Sequence, residues 1–162
     1  MKATTVRDRI GCFGLGLFLI GCTSASVSSQ PSMVQSLPIA AQAKINGKSI
    51  QLEVARTPQQ QEIGLMNRTK LANDRGMLFP FDPPRPVQFW MRNTLIPLDM
   101  LFLRNGVVTG IAQNVPPCKA DPCPTYGDRT QDVDQVIELR GGRAAELGLK
   151  AGDRVTVQFV KK

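Results

Sequence analysis

The sequence contains no histidine. That absence excludes Ser-His-Asp and Cys-His nucleophilic catalysis and every histidine metal site. There is also no glycine-rich loop with the spacing that cradles a phosphate. Hydrolases of the triad type, phosphoryl-transfer enzymes and zinc enzymes are therefore poor readings. No apolar run is long enough for a membrane span: Gly11 to Ile20 is about half of the roughly 20 residues that a helix needs to cross a bilayer. Between Thr23 and Gln42 there is no charged residue. There is one tryptophan, Trp90, and there are four cysteines.

What is present begins with an export signal. Lys2, Arg7 and Arg9 form a basic start, followed by the short apolar run and then Leu19-Ile20-Gly21-Cys22. A basic region, an apolar run and a small residue before the cut describe a secretory signal. The cysteine after Gly21 resembles the lipobox of bacterial lipoproteins, which implies lipid on Cys22 and an N-terminus at that residue. The other reading is an ordinary signal with an incidental cysteine. Residues 1–21 are thus expected to be a signal peptide and 22–42 a flexible tether reaching about 25 Å. Residues 43–162 are expected to form a single β domain. Removing residues 1–21 leaves 17 basic and 12 acidic residues, a net charge of +5. This spread-out excess is not the concentrated basic patch of a nucleic-acid binder, so no nucleic-acid partner is assigned.

Inside the domain, two Asn-Gly pairs, Asn46-Gly47 and Asn105-Gly106, lie between strand-like residues and predict tight hairpins. Ile50, Leu52 and Val54 alternate with Gln51 and Glu53, the pattern of a half-buried strand. Thr57-Pro58 with Gln60 opens a helix expected to run to about Met66. Gly76 to Phe81 reads as a strand, Asp82 to Pro86 as a stiff loop, and Val107–Val115, Val133–Leu139 and Arg154–Phe159 as further strands. A second short helix is expected over Gly142–Leu147. About seven short strands with two short peripheral helices predict a mainly β fold, a small closed barrel or sandwich.

The centre of the chain is Phe89 to Phe102, FWMRNTLIPLDMLF. Val87, Phe89 and Met91 alternate with Gln88, Trp90 and Arg92. After a polar corner, Leu98, Met100 and Phe102 alternate with Asp99. Together with Gly64-Leu65-Met66-x-Arg68 and Gly76-Met77-Leu78-Phe79, the motif Phe89-Trp90-Met91-x-Asn93-Thr94-x-Ile96-Pro97-Leu98-Asp99 resembles domain-of-unknown-function family 192 (DUF192). The resemblance covers roughly Ile50 to Phe159. It implies a compact, mainly β domain, often exported, and no settled activity.

Among residues able to bind, Arg68, Trp90, Asn93 and Asp99 are the candidate ligand site. If the two central strands pair across the corner, Trp90, Asn93 and Asp99 line one concavity, and Arg68 reaches it as a bidentate donor. The competing reading is an internal Arg68–Asp99 or Arg68–Glu138 ion pair, with Asn93 holding the corner through its backbone. Cys118 and Cys123 are most simply a disulfide in an exported protein, and their spacing differs from that of exchange enzymes. Met66, Met77, Met91 and Met100 would suit copper(I), but methionine in apolar sequence more often fills a core, so no metal or cofactor is assigned. Two functions remain. One is a lipid-anchored envelope module that binds a small polar ligand, a glycan or a partner protein. The alternative is an enzyme acting on an envelope glycan through paired carboxylates, such as Asp99 with Glu62 or Glu138.

Overall fold

The computed structural model describes residues 34–160; the signal segment, Cys22 and the first part of the expected tether lie outside the described residues. The chain begins with β1 (Ile39–Ile45) and β2 (Lys48–Val54), followed by α1 (Pro58–Ile63). Then come β3 (Arg75–Arg85), β4 (Phe89–Trp90), β5 (Leu98–Arg104), β6 (Val107–Val115) and β7 (Thr125–Tyr126). β8 (Val133–Arg140), α2 (Arg143–Glu146) and β9 (Thr156–Phe159) complete it. Both Asn-Gly pairs form the expected hairpins, β1–β2 and β5–β6. All four turn residues take positive φ, as a two-residue hairpin turn requires.

Seven strands make one curled sheet in the order β6-β5-β8-β3-β2-β1-β9, while β4 and β7 pair as a separate ribbon. Every pairing is antiparallel except β2 with β3. A parallel neighbour needs a crossover, and α1 with the turns after it supplies one. The sheet's two ends meet at one point. There Val108 donates to the Asp153 carbonyl, and Val155 donates to the Gly106 carbonyl. The architecture is the expected mainly β one with two short helices, in the form of a half-barrel.

Each face of the sheet carries its own apolar cluster. One face holds Ala41, Ala43, Ile50, Leu52, Leu78, Leu101, Leu103, Ile137 and Leu139, closed over by Ala144, Leu147 and Leu149 around α2. The other holds Met77, Phe79, Met91, Leu98, Met100, Phe102 and Val136, covered by Leu65 and by Phe89 of the ribbon. β5 and β8 are therefore buried on both faces, and a carboxylate on either strand must meet a partner or a cavity.

Three expectations are corrected. The sheet begins at Ile39, inside the stretch expected to be tether, because Ala41 and Ala43 pack at zero exposure; alanines surrounded by polar residues give a weak apolar pattern. β3 continues through the expected loop to Arg85 after a register shift, with its proline-rich end running along exposed residues. β4 and β5 do not pair with one another: β4 pairs with β7, and β5 lies between β6 and β8. The polar corner is thus a crossing between two layers and not a hairpin. The expected disulfide is present, joining Cys118 to Cys123 in the loop before β7. The Cys118 amide donates to the Met91 carbonyl at 3.2 Å, which ties this loop to the end of β4. Closing so short a loop contributes about 2 kcal/mol on the chain-entropy model.

The failed hairpin moves Asp99. Leu98, Met100 and Phe102 face one cluster, so Asp99 faces the other, at zero exposure. Its carboxylate accepts from the backbone amides of Asn114 at 2.6 Å, Gly142 at 2.9 Å and Ala144 at 2.6 Å. It thereby satisfies the start of α2, whose first residues offer amides without intrahelical acceptors. Asp99→Asn keeps the shape but turns an amide NH2 toward backbone donors. The expected loss is about 3 kcal/mol, read from urea unfolding with Trp90 emission unchanged in the native baseline. A variant as stable as the parent would contradict this anchoring role.

Candidate functional site

The site is built where α1 ends. Thr57 Oγ1 accepts from the Gln60 amide, and the Gln60 side chain accepts from the Thr57 amide, the reciprocal cap predicted from the sequence. The helix stops at Ile63, three residues before the expected end, because Gly64 takes φ +47°. A Cβ on Gly64 would sit 3.4 Å from the Phe79 ring, so the turn lies directly on the sheet. The polar corner docks on the same turn. The Asn67 amide donates to the Asn93 carbonyl at 2.8 Å, and Asn93 Nδ2 reaches Met66 Sδ at 3.9 Å. Phe89 drives inward, edge-on to Phe79 at 5.0 Å and to Phe102 at 6.2 Å between centroids. Strand alternation then turns Trp90 outward, where it stays 43% exposed. Arg92 lies over its indole at 5.6 Å, within range of a cation–π contact.

Between this turn and the ribbon is a cavity of about 30 Å³, walled by Gly64, Leu65, Phe79, Phe89, Trp90 and Thr94. Two carboxyl groups belong to its lining, Glu62 of α1 and Glu138 of β8. A wider depression of about 380 Å³ shares Gln61, Glu62, Phe89 and Trp90 with it and extends toward Arg85 and Gln88. Trp90 therefore stands between a shallow groove and a deep, small end.

Glu138 is the unusual member. In the ladder it lies between Met77 of β3 and Met100 of β5, both at zero exposure, and is itself only 5% exposed. No side chain or amide among the described residues donates a hydrogen bond to it. Burial pushes its carboxyl up from 4.5 to about 8, against the opposing pull of the Arg68 charge. A carboxyl in this state carries its proton at neutral pH. It can donate a hydrogen bond, or surrender the proton when a positive charge arrives.

Arg68 is not free to bind a ligand in this arrangement. Its two terminal nitrogens donate to Glu53 Oε1 and Oε2 at 2.7 and 2.6 Å, and Nη2 also donates to the Gln35 carbonyl at 2.6 Å. The Leu37 amide donates to Glu53 Oε2 at 2.7 Å. Both side chains are nearly buried, at 13% and 12% exposure. Arg68 therefore pairs with neither Asp99 nor Glu138. It joins β2, the turn after α1 and the chain leading into β1. Of the four candidate residues, Trp90 and Asn93 meet at one turn, Arg68 adjoins it while facing Glu53, and Asp99 lies across the sheet. From sequence alone Glu138 stands out only as a possible base or ion-pair partner. Alternation along β2 turns Glu53 toward solvent, because its partner, at 68, lies outside any local pattern. Met77, Met91 and Met100 fill the core, and Met66 lines the cavity.

The fold is a curled β half-barrel with an aromatic-walled cleft over a buried acid, and its sequence assigns it further. Residues 41–157 match the model of DUF192, described as an uncharacterised ACR family, and the chain belongs to that family. It is similar to a protein from Sinorhizobium meliloti 1021 that has been proposed as a transcription regulator. That crystal structure shares 35% identity over 76% of this chain and 98% of the other, with a TM-score of 0.66. It is also similar to a protein of unknown function from Novosphingobium aromaticivorans DSM 12444. There the identity is 34% over 84% of this chain and 99% of the other, with a TM-score of 0.65. No curated protein matches the chain.

Glu138 makes stability depend on pH. Its folded value lies above its unfolded one, so the folded state holds the proton more tightly. The contribution is complete below pH 4.5, falls between pH 4.5 and about 8, and is lost above that. Glu138→Gln should match the parent at pH 4 and exceed it by a few kcal/mol at pH 9, measured by denaturant unfolding at both pH values. Equal stabilities at pH 9 would show that Glu138 ionises without cost.

Proposed function

We propose that this protein is a cell-envelope domain, exported and anchored by lipid on Cys22, that binds a small polar ligand or glycan in the Trp90 cleft. The observation that carries the reading is an exposed indole beside a cavity lined by a buried carboxyl, Glu138, that has no hydrogen-bond partner among the described residues. Aromatic faces with a few convergent polar groups are the usual make-up of a small-molecule site. A buried polar group left unpaired in the free protein offers an incoming ligand a hydrogen bond that water supplies poorly there. The anchor reading rests on the lipobox-like Leu19 to Cys22 and on the uncharged stretch after it. Cys22→Ala should release the protein from the membrane fraction, and mass spectrometry of the wild-type N-terminal peptide should find lipid on Cys22. A wild type that is soluble and cut elsewhere would overturn the anchor.

A second reading has one observation in its favour. Glu62 and Glu138 line the same cavity, and a proton-bearing carboxyl beside a second carboxyl is the pattern of acid–base glycan cleavage. Asp99 takes no part, since it is sealed on the opposite face. Binding and cleavage are separated by incubating the protein with peptidoglycan fragments and following both Trp90 emission and products. The binding reading expects a saturable change in emission, binding heat by calorimetry that is lost in Trp90→Ala at nearly unchanged Tm, and fragments recovered intact. Cleaved fragments would favour the enzyme. No response from sugars, peptidoglycan fragments or peptides would overturn the cleft as a site.

A further inference from the structure

The cavity beneath Trp90 has a composition more specific than its size suggests. It is about 30 Å³, space for one or two water-sized groups. Two carboxyl groups reach it, Glu62 and Glu138, and its walls include the rings of Phe79, Phe89 and Trp90. Among the described residues, no basic side chain lines it. Arg68, the one cation among the described residues that acts on Glu138, has its charge taken up by Glu53 at 2.6 Å. In the ladder the neighbours of Glu138 are the uncharged Met77 and Met100, and apart from Glu62 the rest of the described cavity lining carries no charge.

We propose that this cavity receives a primary ammonium group, seated against Glu138 and Glu62 beneath the Trp90 ring, and that the rest of the ligand lies along the wider groove. The inference rests on the reading of the cleft as a ligand site and names what that ligand must carry. An anion would meet two carboxyl groups and the negative faces of the rings. A neutral hydroxyl would gain one ordinary hydrogen bond. An ammonium supplies three donors, is attracted to the ring faces, and converts a costly unpaired carboxyl into a paired one. Because Glu138 holds its proton up to about pH 8, seating the cation sends that proton to solvent. One N–H···O contact to Glu138 forms, one O–H proton leaves to solvent, and the net charge of the site is unchanged. A primary amine can come from a lysine-like peptide side chain or from an amino sugar.

The test titrates the full-length protein with n-butylammonium chloride at pH 6, 7, 8 and 9, using n-butanol as the neutral control and Trp90 emission as the readout. Saturable binding of the cation is expected, with affinity rising about tenfold per pH unit up to pH 8 and levelling above it, since one proton is released per ligand. n-Butanol should bind far more weakly at every pH. Calorimetry in two buffers of different ionisation heat should count close to one proton released at pH 7. Glu138→Gln, folded by circular dichroism, should weaken binding at least tenfold at pH 9 and lose the pH dependence. Nα-acetyl-lysine methylamide and glucosamine then distinguish a peptide source from an amino-sugar source. If n-butylammonium fails at pH 9, or binds no better than n-butanol, the ammonium inference is overturned. In that case a Trp90-dependent response to N-acetylglucosamine would leave the cleft standing as a ligand site, and silence from every probe would remove both.

Discussion

One carboxyl group placed where the sheet calls for an apolar side chain sets the character of this molecule. Glu138 lies in a row between two buried methionines, on a strand buried on both faces. Isolated burial of a charge is costly enough that the group keeps its proton. Asp99 lies on the neighbouring strand, facing the opposite cluster, and meets the same constraint differently: three backbone amides surround it. Glu53 meets it in a third way, through a two-pronged contact with Arg68. The three buried carboxyl groups among the described residues thus have three solutions, and of these only Glu138 keeps hydrogen-bonding capacity facing a cavity. The fold's own needs account for Asp99 and Glu53; they do not account for Glu138.

The layers around Glu138 follow from the same geometry. The parallel step from β2 to β3 requires a crossover, which brings α1 and its closing turn over the sheet. Gly64 lets that turn sit on Phe79, and the corner at Asn93 docks on it through Asn67. The ribbon of β4 and β7 is then held between corner and disulfide loop, Phe89 inward and Trp90 outward. The Arg68–Glu53 contact fixes the other side of the turn and ties down Gln35 and Leu37, where the chain leads into β1. Replacing such a pair with apolar residues is often neutral, whereas removing one partner leaves a buried charge. Its role here is to hold three segments in register beside the cleft.

Much of this was legible in the residues. Asn46-Gly47 and Asn105-Gly106 announced their turns because positive φ at both positions suits few other pairs. Thr57-Pro58 with Gln60 announced a cap because the reciprocal bonds depend only on local spacing. The spacing of Cys118 and Cys123 announced the disulfide, and the long central motif announced the family. The misreadings share one cause: they depended on which segments become neighbours. Alternation correctly put Asp99 opposite Leu98 and Met100, but that face is a second core and not a cleft. Glu53 looked solvent-exposed because alternation cannot reveal that the segment leading into β1 and Arg68 cover it. Trp90 was recognised as the outward residue of its strand. Its companion in the cavity, Glu138, comes from a strand about fifty residues further on, and only the β3–β8–β5 pairing brings the two together.

Glu138 is a buried acid in the Trp90 cleft without a hydrogen-bond partner among the described residues. The most direct test is a carbon-13 NMR titration of the glutamate side-chain carboxyls in the full-length protein, with the resonance assigned by its disappearance in Glu138→Gln. The midpoint is expected near 8, shifting downward when a small ammonium is added. A midpoint near 4.5, the ordinary value for the side chain, would mean that Glu138 is solvated or paired and is not a buried, proton-holding acid.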